Sequence, residues 1–328
     1  MAERAVRVYV DSWDPSYASA FDPGETGPSV ESTAELNADV EVPAGAWRAL
    51  GPAPEVRAPG TVLLVDGVRR IDARIWVEEH DGGLHPGLAA SYAAGVVRCD
   101  LRAGRAEVAG ARVARGFFTS SPNAADLTAA TATYPVRRAA ATELSQLTGA
   151  VQADLRALES QVCEQARAAG PEVDDDLLVV DGPLHGHTQL PRALGYVKTH
   201  RVQYLPADLA GVVGQLRAGQ RTPIFLLGTT WHRYTWYLRL PGPPGSPWAG
   251  VVRVETSADL NRTEVIALAD RSAVTLPRFA STPYKDARAP QNLTPIAGLE
   301  RRLRGMLGDQ RLLLRALTAA AGATTTAA

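Results

Sequence analysis

Two hexapeptides in this chain pair an apolar run with a carboxylate: VLLVDG over Val62–Gly67 and LLVVDG over Leu177–Gly182. Each drives β-branched residues straight into Asp-Gly. A strand that ends this way holds its charge at the rim of a sheet. On neighbouring strands Asp66 and Asp181 would face each other, and like charges that close call for a cation. Mg2+ and Mn2+ prefer oxygen ligands. Two such ions clamp the attacking and leaving oxygens of a phosphodiester. The plainer alternative is that each Asp opens a turn, as Asp-Gly commonly does.

A third acid is expected from the helical stretch between the two motifs. Leu144, Leu147, Val151, Leu155, Leu158, Val162 and Ala166 recur at spacings of three and four, so residues 137–169 read as one amphipathic helix ended by Gly170-Pro171. Glu159 falls on that apolar stripe and can aim at a sheet. Glu164 sits about 140° further around the axis. Glu143 belongs to helix entry, where acids favour the dipole. A fourth ligand is expected from KDARAPQNLTP, whose acid is Asp286, and Arg288 beside it can contact phosphate bidentately.

Residues 182–240 hold seven Lys or Arg against one acid, Asp208, and such a segment attracts phosphates. Lys198 and Arg201 lie in it and are assigned to the DNA backbone together with Arg69 and Arg288. His185 and His187 are loop histidines on this reading. In WHRYTWYLRL the aromatics either stack bases or fill a sheet core, and the core is the favoured assignment. Residues 1–60 hold ten acids against four bases. There SWDPSYASAF is a candidate docking segment, and a lid or dimer arm is the alternative.

These residues need elements to position them. AVRVYV (residues 5–10) and a short segment after residue 37 read as strands, and APEVRAPG as a linker. From Thr61 the pattern is an antiparallel meander: VLLV, an Asp66-Gly67 hairpin turn, VRRIDARIWVEE, SYAAGVVRCDL and AEVAGARVARGFF. After the long helix come the strands DDDLLVVDG, TPIFLLG, RYTWYLRL and VVRVET. A helix or helix pair from NLTPIAGLERRLRGMLGDQRLLLRALTAAAG closes the chain. Meander, helix, then further strands is an α/β order of ribonuclease H type, a mixed sheet of antiparallel meander and parallel strands flanked by helices. No GxGxxG follows the first strand and no GxxxxGK[ST] occurs, which argues against a nucleotide fold of the doubly wound kind. The expected division is an N-terminal extension (1–60), a nuclease domain (61–322) and a tail (323–328).

The 328 residues are 45% apolar and carry a net charge of −1, so a large core is expected and no overall field points to a partner. Two cysteines without CxxC spacing suggest neither a zinc site nor a disulfide framework. They fit a reduced, cytoplasmic setting. No signal peptide and no run of about 18 apolar residues appears, so no membrane span is expected.

Taken together, VLLVDGVRRIDARI, LLVVDGPLHG with GYVKTH, RYTWYLRL and DARAPQNLTPIAGLERRLRGMLGD resemble the NurA nuclease family, in its bacterial branch, over about Thr61 to Leu317. The resemblance implies a ribonuclease H-like fold and a manganese-dependent DNA nuclease, with Mg2+ the alternative metal and two ions at the centre. It implies 5′–3′ exonuclease and single-strand endonuclease activity on single strands and duplex ends, in DNA end processing and double-strand break repair. It also implies a homodimer docked on the hexameric HerA translocase. Asp66 and Asp181 carry over by motif, Glu159 less tightly, and Lys198 matches a family lysine. Archaeal members place a histidine in the last motif; none follows His232 here, and Asp286 takes that position. Two other classes compete. An actin-like ATPase also uses two Asp-Gly turns, but needs a small hydroxyl-rich loop where VRRID stands. A non-catalytic scaffold of a DNA motor would make the acids structural.

Overall fold

The computed structural model describes Trp13 and residues 34–326, apart from 130–131, 142, 171–174 and 244. The strand expected at residues 5–10, the docking segment other than Trp13, Pro171, and residues 327–328 lie outside the described residues. In chain order the elements are β1 (Glu35–Asn37), β2 (Thr61–Glu78), β3 (Leu84–Asp100), β4 (Arg105–Thr119), β5 (Leu127–Ala129), β6 (Ala132–Tyr134), β7 (Val136–Arg138) and α1 (Leu144–Ala168). They continue with β8 (Asp176–Asp181), β9 (Ala193–Val197), α2 (Ala207–Gln215), β10 (Phe225–Gly228), β11 (His232–Arg239), β12 (Val251–Ser257), α3 (Arg262–Thr275), α4 (Thr294–Met306) and α5 (Gln310–Thr326). Ten of these strands belong to one hydrogen-bonded sheet, and β5 pairs separately with β6. The sheet is mixed and helices flank it, so the α/β class read from the sequence holds; the arrangement is compatible with a ribonuclease H-like fold.

The chain divides into two compact units. The first comprises residues 1–64, 99–105 and 174–297. Its strand order is β1-β10-β11-β12-β9-β8 followed by the opening residues of β2. The pairs from β1 to β9 are antiparallel, while β8 and β9 run parallel, with Val180 opposite Gly195 and Asp181 opposite Tyr196. One core joins α2 to this sheet through Leu209, Val213, Phe225, Leu227, Tyr237 and Val251, with Leu36 and Trp47 packed on it. Residues expected to form an extension are thus part of this packing. Arg221, fully buried, donates to both oxygens of Glu41 at 2.8 Å and to Asp270.

The second unit comprises residues 65–98, 106–173 and 298–328. Its strands are ordered β2-β3-β4-β7, with β7 parallel to β4. Helix α1 buries Leu147, Val151, Leu155, Leu158, Val162 and Ala166, the stripe predicted from spacing. Each large side chain so buried contributes on the order of 1.5–3 kcal/mol. The helix starts later than expected. Residues 136–138 are strand, and Glu143 is the N-cap, its N–H donating to Gln146 Oε1 at 3.3 Å. The closing segment is a helix pair broken at Gly308, whose φ of +80° is in the left-handed region. Helix α5 runs on to Thr326, into the stretch expected as a tail.

The Asp66-Gly67 hairpin turn is corrected. β2 runs unbroken from Thr61 to Glu78 through both residues. The physical reason is packing: Gly67 keeps an extended backbone, and a Cβ there would overlap Glu159 Oε1 and lie 2.8 Å from Leu155 Cδ1. Glycine here makes room for α1 and is not turning the chain. The true β2–β3 turn lies at Glu79–Gly83, closed by Glu79 N–H donating to Gly83 O at 2.8 Å.

Candidate functional site

Asp181 ends β8 as its motif predicts, and Gly182 follows with φ +116°, a conformation that L side chains rarely adopt. Backbone bonds and a buried carboxylate pin the chain beyond it. Gly182 N–H donates to Tyr196 O at 2.8 Å. Leu184 N–H donates at 2.7 Å to Glu255, a fully buried side chain of β12 whose other oxygen takes Arg233 Nε at 3.1 Å and Arg253 at 3.5 Å. Gly195 lies beneath this loop. A Cβ on it would sit 2.6 Å from Leu184 N and 3.0 Å from Gly182 O.

A polar chain leads away from Asp181. Lys198 Nζ donates to Asp181 Oδ2 at 2.6 Å and to Asn292 Oδ1 at 2.9 Å. Asn292, 1% exposed, donates from Nδ2 to Asp286 Oδ2 at 2.7 Å. Asp286 Oδ1 accepts Arg288 N–H at 2.8 Å. Three residues expected from sequence (Asp181, Lys198, Asp286) are therefore brought together in the first unit by one that was not, Asn292. Asp181 Oδ1 is buried and has no hydrogen-bond partner. Tyr196, paired with Asp181 in the sheet, is wholly buried and donates to Gln291 O at 2.6 Å; burial, with the Asp181 charge adding to it, holds its phenol well above the usual range.

In the second unit Asp66 is buried on β2 and takes Gly67 N–H on Oδ1 at 2.7 Å. Glu159 is buried on the α1 stripe and reaches Gly67 from the helix side, whereas Glu164 is exposed and Glu143 caps the helix. The choice of Glu159 among the three is therefore the one that α1 aims at the sheet. Asp66 alternates onto the face of β2 opposite Gly67.

The expected backbone-binding residues divide by surroundings. Arg201 is exposed and Arg288 half-buried. Arg69 is exposed, with Nε on Gln152 Oε1 at 2.8 Å. Lys198 is mostly buried and committed to Asp181 and Asn292. His187 is buried in the loop, and His185 lies 5.7 Å from the Trp231 ring. Trp236 and Tyr237 are buried, as the core assignment expects, while Trp231 and Tyr234 are half-buried. Trp13, read as part of an exposed docking segment, is instead buried and donates to Gln291 Oε1 at 3.0 Å.

Oxygen donors suit a hard divalent cation, and the buried, unpartnered Oδ1 of Asp181 is such a donor. Among the described residues, no group of three or more His, Cys, Asp or Glu is gathered as a ready metal cage. Sequence reasoning passed over Asn292, Gly195 and Glu255. Asn292 stands beside Asp286 in the quoted QNLTP block, but its partner Lys198 is 94 residues away, and no local pattern reports such a contact.

No protein-family model matches the chain, and no curated protein does. Among solved structures it is similar to the endonuclease V of Bacillus subtilis, with a TM-score of 0.33 and 12% identity over 78% of this chain and 86% of that one.

Proposed function

We propose that the chain is a metal-dependent deoxyribonuclease of the NurA type, acting as a homodimer with a HerA-type translocase in DNA end processing. The observation that carries this reading is the state of Asp181, held by Lys198 through one oxygen while the other is buried and unpartnered. An unmatched buried acceptor costs about 1–3 kcal/mol, and a carboxylate so placed is offered to a cation. Mn2+ or Mg2+, when bound, supplies Lewis acidity toward water and the leaving oxygen of a phosphodiester.

The chain's own residues do the remaining work. Asp181 presents Oδ1, and Lys198 fixes its rotamer through Oδ2. Asn292 and Asp286 hold Lys198, so Asp286 is a positioning residue on this reading. Asp66 and Glu159 are the further candidate acids of this reading; Asp66 lies on one face of β2 and Glu159 comes against the other, so they do not act as a pair. Arg201 and Arg288 meet the phosphate backbone, contacts that position without reading sequence.

The Lys198–Asp181 pair also favours a second reading, a non-catalytic subunit of a DNA motor in which the lysine simply neutralises the acid. Cleavage of end-labelled single-stranded and duplex DNA with Mn2+, Mg2+ or EDTA separates the two. The nuclease reading expects metal-dependent cleavage. In a folded Asp181→Ala variant it should fall by more than the roughly 10–100-fold that loss of an outer partner of a metal ligand costs. Wild-type rates in that variant, or no cleavage with either metal in the presence of the translocase, would leave the scaffold.

A further inference from the structure

The second unit has an open groove of about 420 Å3 whose walls include Gly67, Arg69, Arg70, Glu300, Arg304 and Leu307. Three guanidinium groups face one carboxylate there. Arg70 is part of the wall. It donates to Asp72 at 2.7 Å and, at 2.8 and 3.1 Å, to the Gly308 and Leu307 carbonyls that close α4. The other two are differently placed. Arg69 is held through Nε by the neutral amide of Gln152 and has no carboxylate within ion-pair distance among the described residues. Arg304 pairs with Glu300 at 2.6 Å, four residues earlier on α4, and its side chain is 69% exposed. Such surface pairs contribute about 0.3–0.5 kcal/mol, so an incoming phosphate can take the guanidinium over.

The closing helices carry further positive charge. Arg301, Arg302, Arg311 and Arg315 of α4 and α5 are all exposed, while the acids of residues 298–321 are Glu300 and Asp309. A single small anion calls for a closed cage of donors. An open groove in a unit whose closing helices carry four further exposed arginines suits a ligand that repeats its charge, and the planar guanidinium matches phosphate in two-point contact.

We propose that this groove holds the phosphodiester backbone of DNA, with Arg69 and Arg304 as its contacts. The proposal takes its ligand from the nuclease reading, but its test does not depend on turnover. Binding of fluorescein-labelled oligonucleotides, single-stranded and duplex, is followed by anisotropy in EDTA across a NaCl series. Removing two phosphate contacts in R69A/R304A should reduce the slope of log K against log salt by about 1.4 on single strands or about 1.8 on duplex. The pair R105A/R217A, exposed arginines outside the groove, should keep the wild-type slope. A wild-type slope in R69A/R304A on both forms, or an equal fall in the control pair, would overturn the proposal. A wild type that binds in EDTA yet never cleaves would sink the nuclease reading and leave the groove standing.

Discussion

Lys198 shows how much a single residue's role depends on what it touches. Its place in a basic segment marks it for phosphate, yet both of its contacts are internal, and it and Asp181 are each 12% exposed. Removing either partner strands the other. Asp181→Ala and Lys198→Ala are each expected to destabilise the fold by about 1–3 kcal/mol. The double variant should lose less than their sum by about 1 kcal/mol or more. Urea unfolding of the four proteins gives the number, and coupling below about 0.5 kcal/mol would mean that the pair contributes nothing to stability. Asp181 and Glu159 could be picked out in the sequence because a strand end and a helix stripe are local patterns. Asn292 and Glu255 could not, since what defines them is a partner far along the chain.

Among the elements, the two Asp-Gly pairs make opposite demands. Gly182 turns the chain, while Gly67 sits inside a strand and yields its space to α1. Gly195 answers to the first of these, lying under the loop that Gly182 begins. Gly195→Ala should force the Leu184 backbone or Glu255 to move, at about 1–3 kcal/mol. Gly110→Ala, with nothing within 4 Å of the new methyl, should cost little. Chemical denaturation of both variants checks this, and equal midpoints would mean that the loop relaxes freely. The long strands and α1 were readable because periodicity repeats over many residues. Periodicity does not reveal β5, β6, β7, β9, α2 or α3. Helix α2 has nine residues, two of them glycine, too few for a period to emerge. Helix α3 did carry a usable signal: Asn261 and Glu264 cap each other at 2.9 and 3.1 Å, the Asn-x-x-Glu spacing of a helix start.

For the molecule as a whole, His200 ties stability to pH. It is 2% exposed, its Nε2 lies 3.0 Å from Val251 O, and Nδ1 has no partner. Burial pushes its pKa down to about 4, against the Val251 bond and with help from the Arg253 charge. The folded state therefore holds the neutral ring, while the unfolded chain titrates near 6.5. The stability this provides is complete above 6.5 and is lost as pH falls toward 4. Between those limits the wild type should lose up to about 3 kcal/mol more than His200→Gln, read from urea unfolding at each pH; parallel losses would show that the ring titrates normally.

The antiparallel match of Glu35 with Gly228 also sets an order of events on the ribosome. Strand β1 emerges early and has no sheet to join until β10 is made, long after β2, β3 and β4 have left the exit tunnel. The units share that history, since the chain passes between them five times. Neither can be expressed from one uninterrupted stretch of gene, and no single proteolytic cut releases either one. Pairings of such long sequence separation close slowly, so the nascent chain spends much of its synthesis with strands waiting for partners still being translated.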